Sequence, residues 1–282
     1  MIFKEATQED WLRSRLFFSE IYREDHPLLN KDFWEWQYGD PKYGRSFICL
    51  NEENMIVGHI GIGIEKGYSW MLNAHITEEY RGKGIMNTLF DHARAYGPLA
   101  ATGASEQGLK MFKKMNWIRY YDLIRFVKIN PRIKRNDIDV VCDTISVTIE
   151  DYINKDSRYF NQPGIKGLKF LDGSTAVSQE NVGGLRVVDI VDLDELEKIA
   201  WDLGYLWIDY LTSWNDFKIT NLEKNNWSKD AEIGLPWLLN PIVKNSFYKM
   251  PLLSEHPLDR EFIVHRSCSD HGRVGSLKRN DL

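Results

Sequence analysis

Apolar and polar positions along the first 130 residues follow two periods, one typical of helices and one typical of strands. Residues 8–23 place bulky apolar side chains at helical spacing after an acidic start, which predicts a helix. Residues 46–50 and 55–64 are typical of strands, and the polar residues 51–54 predict a hairpin turn between them. The further predicted elements are a strand at 68–76, a helix at 85–96, a strand at 99–103, a helix at 106–115 and a strand at 117–129.

The second half of the chain repeats part of this order in a weaker form. A polar, charged stretch at 130–137 predicts a boundary between one domain at 1–130 and another at 138–282. The repeat indicates that the second domain is a degenerate copy. Its first helix begins at Asp192 without a glycine loop, so we expect this copy to bind no phosphorylated cofactor. The repeated elements are a strand at 185–191, a helix at 192–203, a strand at 205–211 and a helix at 217–225.

The composition is ordinary for a globular protein and argues against several classes of partner. Hydrophobic residues make up 43% and charged residues 27% of the chain, as in typical soluble domains. The net charge is -5 without a long basic block, so we expect no nucleic acid polymer as a partner. No apolar run approaches the ~20 residues of a membrane span, and we expect a cytoplasmic protein without membrane contact. The scattered residues Cys49, Cys142 and Cys268 predict neither a disulfide framework nor a metal site.

The candidate chemistry starts at a glycine-rich turn, residues 79–86, between a predicted strand and a predicted helix. The first N–H groups of a helix have no partner within the helix, and they attract anions. Gly82 and Gly84 allow the backbone to approach a phosphate closely, while Arg81 and Lys83 add positive charge. The turn therefore predicts a site for a phosphorylated cofactor.

This turn resembles the acyl-CoA signature of the GCN5-related N-acetyltransferase (GNAT) superfamily, Arg/Gln-x-x-Gly-x-Gly/Ala. Arg81 and Gly84 match its first two fixed positions, whereas Met86 stands where the family has Gly or Ala. The resemblance implies an α/β fold with layered helices, a mixed central sheet flanked by helices, in a tandem arrangement. It implies acyl-CoA, by default acetyl-CoA, as co-substrate and no metal. The residues that it assigns to the cofactor are Ile76, Arg81, Gly82, Lys83, Gly84, Ile85 and Met86.

The resemblance also places the thioester beside the predicted strand that ends at residue 76. His75 is the candidate base, and a backbone N–H near Ile76 is the candidate donor to the thioester oxygen. Phe112 stands where many members have tyrosine, so Tyr121 and Ser105 are candidate proton donors. The alternatives are Tyr120 for the donor and His59, Glu65, Asp91 and His92 for the base, and each also fits a structural role.

A second resemblance links two segments to acyltransferases from bacterial surface-sugar gene sets. Residues 34–44 resemble their Trp-x-Tyr and Pro-x-x-Gly pattern, and residues 262–273 resemble their closing strand and Asp/Arg turn. It implies an acceptor amine on a nucleotide-linked amino-deoxysugar of the dTDP-4-amino-4,6-dideoxyglucose type, as in the anthrose pathway. An antibiotic, a polyamine or a peptide is an alternative acceptor, and a non-catalytic CoA-binding protein is an alternative function. The residues implied in acceptor binding are Trp36, Tyr38, His265, Asp270 and Arg273.

Overall fold

The computed structural model of the chain shows two compact units, each built around its own β-sheet. The first unit contains Met1–Tyr120 and Pro251–Asp259, and the second contains the described parts of Tyr121–Met250 and Arg260–Ser267. The described residues are 1–22, 24, 26–132, 163, 167–169, 176–180, 184–187, 193–205, 207–229 and 250–268.

Strands and helices succeed one another along both units. The strands are β1 (Ile2–Glu5), β2 (Gly44–Leu50), β3 (Ile56–Glu65), β4 (Tyr68–Ile76), β5 (Leu99–Thr102), β6 (Ile118–Arg119), β7 (Ile124–Ile129), β8 (Gly167–Lys169), β9 (Ala176–Glu180), β10 (Gly184–Val187), β11 (Trp207–Thr212), β12 (Ser228–Lys229) and β13 (Leu252–Ser254). The helices are α1 (Trp11–Ile21), α2 (Lys31–Tyr38), α3 (Ile85–Arg94), α4 (Glu106–Lys114), α5 (Leu193–Asp202) and α6 (Ile219–Lys224). Among the described helices, none is long and apolar enough to cross a membrane.

Side-chain caps fix where two helices of the first unit begin. Asn30 precedes α2, and its Oδ1 accepts a hydrogen bond from the Asp32 N–H at 2.8 Å. Ser105 precedes α4 in the same way and accepts from the Gly108 N–H at 3.2 Å. Such caps satisfy N–H groups that have no partner inside the helix. Helix α3 differs, because it begins after Gly84 and has no side-chain cap.

The first sheet is mixed, with the strand order β1-β2-β3-β4-β5-β13-β6. Strands β4 and β5 are parallel, and all other described pairs in this sheet are antiparallel. The parallel pairing joins Ser69 to Leu99 and Trp70 to Ala100, near the start of both strands. Strand β5 then pairs with β13 on its other side, so the carboxyl-terminal part of β4 runs on without β5 as a hydrogen-bonded neighbour.

Helices cover both faces of the first sheet, which gives three layers. The cluster that α1 and α2 form with one face includes Phe17, Phe18, Trp34, Ile48 and Leu72. The cluster that α3 and α4 form with the other face includes Phe47, Ile60, Ile62, Ile85, Leu89, Phe90 and Phe112. The alternation of side chains along β2 and β3 therefore supplies apolar groups to both layers.

The second unit holds the sheet β12-β7-β11-β10-β9-β8, in which β10 and β11 are parallel. Buried Asp209 on β11 forms ion pairs with Arg125 and Arg266, each at 2.8 Å. The apolar core under α5 and α6 includes Phe126, Leu185, Leu196, Ala200, Tyr210, Leu222 and Trp227. The order strand, helix, parallel strand, helix thus occurs in both units, as β4-α3-β5-α4 and β10-α5-β11-α6. That the second unit is a degenerate copy stays a prediction.

The structure confirms most predicted elements and differs from the predictions at three places. Residues 31–38, for which no helix was predicted, form helix α2. The single strand predicted at 117–129 is two strands, β6 and β7, that belong to different sheets. Strand β13, from the predicted second domain, lies between β5 and β6 of the first sheet. The first unit runs to Tyr120 and resumes at Pro251, because strand pairing joins segments far apart in sequence, and the expected domain boundary at 130–137 stays a prediction.

Candidate functional site

The first unit contains a cleft of about 1040 Å³ at the point where β4 and β5 stop pairing. Residues of several elements line it, among them Gly108 and Phe112 of α4. Strand β4 contributes Ala74, His75 and Ile76, and the end of β5 with the following loop contributes Ala101, Thr102, Gly103, Ala104 and Ser105. The glycine-rich turn and the start of α3 contribute Arg81, Gly82, Gly84, Ile85, Met86 and Asn87, and the end of α1 contributes Ile21 and Tyr22.

The glycine-rich turn exposes backbone N–H groups to this cleft. Gly82 and Gly84 have φ of 76° and 77°, in the left-handed region that side chains disfavour. A Cβ at either glycine would meet no atom within 4 Å, so the space in front of the turn is open. The N–H of Thr88 is bonded to the Gly84 carbonyl at 3.3 Å, while Gly84 supplies no side-chain cap to the first turn of α3. The first N–H groups of α3 are thus placed to bind an anion.

The two basic side chains of the turn have different surroundings. Arg81 lines the cleft, and its Nε donates to the Ile76 carbonyl at 3.1 Å, which links the turn to the end of β4. Lys83 is exposed, and its Nζ lies 4.6 Å from the centre of the Tyr80 ring. Lys83 is not among the cleft-lining residues, whereas Arg81, Gly82, Gly84, Ile85 and Met86 are.

His75 lies in the cleft, at the position of β4 just before the last residue, Ile76. Its ring is half-buried and packs edge-on against Phe17, with the ring centres 6.0 Å apart. Burial, followed by the positive charge of Arg81, lowers the pKa of His75 below its ordinary value of 6.5. The imidazole is therefore neutral at pH 7 and available to accept a proton.

His59, the alternative base, is fully buried and belongs to the scaffold. Its Nδ1 lies 2.8 Å from the Asn73 carbonyl, which can only accept, so the proton is on Nδ1. Its Nε2 then accepts from the Ser46 hydroxyl at 2.9 Å. Burial lowers the pKa of His59 to about 4, and the ring stays neutral at neutral pH. The other alternative bases are not among the cleft-lining residues: Glu65 ends β3, Asp91 pairs with Arg94, and His92 lies beside Phe3.

The candidate proton donors have different surroundings. Ser105 is exposed at the cleft, where its oxygen caps α4 and its O–H remains able to donate. Tyr121 is 75% exposed, packs edge-on against Trp214 of the second unit and is not among the cleft-lining residues. The Tyr120 hydroxyl accepts from the Leu258 N–H at 2.8 Å. Phe112 lines the cleft and packs against Trp117 with the ring centres 4.4 Å apart.

Trp36, Tyr38 and His265, which the resemblance implies in acceptor binding, are not among the residues that line this cleft, and their role stays a prediction. Trp36 packs against Phe33 on α2, and Tyr38 is buried with its hydroxyl on Asn73; neither lines the cleft. His265 is buried in the second unit beside Tyr210. Asp270 and Arg273 lie outside the described residues. The resemblance of 34–44 was to a sequence pattern, and the helix that forms there turns its aromatic side chains into the core.

The cleft residues that were not predicted from the sequence include Tyr22, His26 and Asn73. The rings of Tyr22 and His26 are stacked, with centres 4.0 Å apart and planes inclined by 10°. Asn73 lies in the middle of β4 with φ of 49°. Asparagine is enriched in this left-handed region and is otherwise uncommon inside strands, so its position in a strand was a usable signal of a bulge.

A family model matches part of the first unit. Residues 8–106 match the model of the Acetyltransferase (GNAT) family, which spans α1 to the start of α4 and includes the glycine-rich turn. Residues 8–106 are thus similar to a GNAT acetyltransferase domain, in agreement with the resemblance of the turn. No metal-binding group of three or more His, Cys, Asp or Glu side chains occurs in the described part of the chain.

Solved structures with a similar arrangement are distant in sequence. A protein from Pyrococcus horikoshii, described as an acetyltransferase, is 14% identical, with 90% of this chain and 88% of that chain covered and a TM-score of 0.49. A spermidine N-acetyltransferase SpeG chimera from Vibrio cholerae and hSSAT is 15% identical, covering 44% and 86%, with a TM-score of 0.36. Arabidopsis thaliana NAA60 in complex with acetyl-CoA is 13% identical, covering 44% and 87%, with a TM-score of 0.37. No curated protein matches the sequence.

Proposed function

We propose that the protein is an N-acyltransferase that moves an acyl group from acyl-CoA to the amine of a small acceptor. The observation that carries this proposal is that the N–H groups of the glycine-rich turn and the neutral ring of His75 face one cleft. The first could hold an anionic cofactor, and the second could accept the proton of an amine. Both functions are needed for amide formation from a thioester.

The cleft residues fit coenzyme A on three points. The turn offers open space in front of Gly82 and Gly84, where a pyrophosphate could approach the backbone. Arg81 supplies a positive charge beside these N–H groups. Thr102 lines the cleft with a buried hydroxyl that has no hydrogen-bond partner among the described residues, which suits a polar group of a ligand. Diverging strands β4 and β5 leave room for the pantetheine arm between them.

The chemistry requires little beyond binding and proton transfer. Acyl-CoA supplies a thioester carbonyl that an amine can attack. His75 accepts the proton that the amine loses while the C–N bond forms and the C–S bond breaks. Ser105 lines the same cleft, and its O–H could donate a hydrogen bond to the departing sulfur, which takes its proton from solvent. Tyr121 has no part in this proposal, because its exposed ring packs on Trp214.

The lining of the cleft favours an acceptor without multiple positive charges. Among the described residues that line it there is no Asp or Glu, while Arg81 is positively charged. A polyamine or an aminoglycoside would find no carboxylate partner among the described residues of these walls. The stacked rings of Tyr22 and His26 offer an aromatic surface to the apolar face of a sugar. We therefore propose an amino sugar carried by a nucleotide as the acceptor class.

The direct test of this function is thiol release from acetyl-CoA in the presence of single amines. We expect release with dTDP- or UDP-linked amino sugars, and no release with spermidine or kanamycin at equal concentration. Thiol release with spermidine or kanamycin alone would support the proposed acyl transfer but overturn the proposed acceptor class. Tight binding of acetyl-CoA with no thiol release on any amine would instead support a non-catalytic CoA-binding protein.

Donor binding can be tested separately at the glycine-rich turn. Asp in place of Gly84 adds a negative charge where we place the pyrophosphate, and unit charges in contact near a protein surface repel by about 1–4 kcal/mol. We expect Gly84→Asp to weaken acetyl-CoA binding about tenfold or more, measured by isothermal titration calorimetry. Gly67→Asp is the matched control, because Gly67 has φ of 81° with open space at its Cβ and lies outside the cleft. Equal affinities of the two variants would contradict the proposed donor site.

A further inference from the structure

Asn73 interrupts β4 at the middle of the cleft wall. On the neighbouring strand, Gly61 is opposite Leu72 and His59 is opposite His75, so two residues of β4 face one residue of β3. This is a β-bulge, and the left-handed backbone of Asn73, with φ of 49°, forms it. A bulge reverses which side chains point to one face of the strand, so it determines that His75 faces the cleft.

The side chain of Asn73 connects β4 to both helices that precede the sheet. Its Oδ1 accepts from the Gln37 amide at 3.2 Å and from the Tyr38 hydroxyl at 3.2 Å, both on α2. Its Nδ2 donates to the Tyr22 hydroxyl at 3.4 Å, just beyond the end of α1. Gly61 makes this possible, because a Cβ there would lie 2.2 Å from the Tyr38 hydroxyl oxygen.

The backbone of Asn73 is held from the opposite side. Its carbonyl accepts from His59, and His59 accepts from the Ser46 hydroxyl, so three strands are joined by one chain of buried hydrogen bonds. His59 and Ser46 are 0% and 1% exposed, which keeps competing water away from these bonds. Asn73 is thus fixed both through its backbone and through its side chain.

The side chains that Asn73 holds in place are the ones that we propose to contact the acceptor. Tyr22 is bonded to Asn73 and stacked on His26, and all three line the cleft with His75. We infer that Asn73 is a positioning residue, whose side chain holds the Tyr22–His26 pair at a fixed place relative to His75. The acceptor amine is thereby presented to its base. The catalytic role of Asn73 rests on the proposed function, whereas its hydrogen bonds to α2 and Tyr22 do not depend on that function.

The test uses one substitution at two asparagines with the same backbone conformation. Asn73→Gly keeps the left-handed backbone and the carbonyl but removes the side chain that reaches Tyr22. Asn54→Gly is the matched control, because Asn54 also has positive φ, at 66°, and lies exposed in the turn between β2 and β3. We expect Asn73→Gly to raise the acceptor KM about tenfold with the acetyl-CoA KM within about twofold, and Asn54→Gly to change neither.

A second readout needs no substrate. We expect amide hydrogen exchange in the last turn of α1 and in the short helix Pro27–Leu29 to be faster in Asn73→Gly than in Asn54→Gly. If Asn73→Gly does not fold, Tyr22→Phe removes the same hydrogen bond from the other side and should raise the acceptor KM alone. Unchanged exchange together with an unchanged acceptor KM would overturn the inference. A wild-type protein that fails to bind acetyl-CoA would overturn the proposed function. The hydrogen-exchange result would still test whether the Asn73 side chain holds Tyr22 and His26 in place.

Discussion

Replacement of His75 by Gln is expected to lower kcat by about 10²–10³-fold, because a positioned base contributes about 10²–10⁴-fold to such reactions. Glutamine keeps hydrogen-bonding capacity at this position but cannot take up a proton near neutral pH. The KM for acetyl-CoA should change little, since the glycine-rich turn remains intact. Steady-state kinetics of thiol release with a saturating acceptor would measure both constants.

The pH profile gives the same variant a second, independent readout. Because burial and Arg81 lower the pKa of His75 below 6.5, the wild-type acid limb of kcat/KM should lie below pH 6.5. Activity should then fall as the pH falls through that lowered pKa, and Gln at position 75 should abolish this limb. His92→Gln is the control, because His92 lies beside Phe3 and Phe47 and is not among the cleft-lining residues. A kcat of His75→Gln equal to that of His92→Gln would rule out His75 as the base.

Acidification is expected to destabilise the first unit through His59. Its pKa is about 4 in the folded protein against an ordinary 6.5, so between these values the unfolded chain binds more protons than the folded protein. The free energy of unfolding should therefore fall as the pH drops from 6.5 to 4, by about 3 kcal/mol from this group. Below pH 4 His59 is protonated in both states and adds no further loss.

A comparison with His59→Asn isolates this contribution from the other titrating groups. Asparagine can still donate to the Asn73 carbonyl, but it does not titrate. Denaturant titrations of the first unit at pH 7 and pH 4 should show a larger loss of stability for the wild type, by about 3 kcal/mol. Parallel losses in the two proteins would show that His59 is already protonated, or already exposed, in the native state.

Local signals in the sequence determined much of the first unit. Helical and strand periods located most elements because they depend on neighbouring residues alone, as with the helix at 85–96 and the strand at 68–76. The glycine-rich turn was recognisable because Gly82 and Gly84 occupy a backbone conformation that glycine tolerates at no steric cost. The similarity of residues 8–106 to the GNAT family could be predicted from that turn, since Arg81 and Gly84 keep the spacing of the family's signature.

The tertiary structure alone decided how distant segments meet. The resemblance favoured His75 over His59, but strand alternation suits both, and only pairing across β3 and β4 buries His59 and leaves His75 in the cleft. The bulge at Asn73 adds one residue and so changes which side chains face the cleft. Likewise, β13 completes the first sheet from more than a hundred residues away along the chain. Such pairings are chosen by the burial and hydrogen bonding of the whole unit, and no local pattern of residues specifies them.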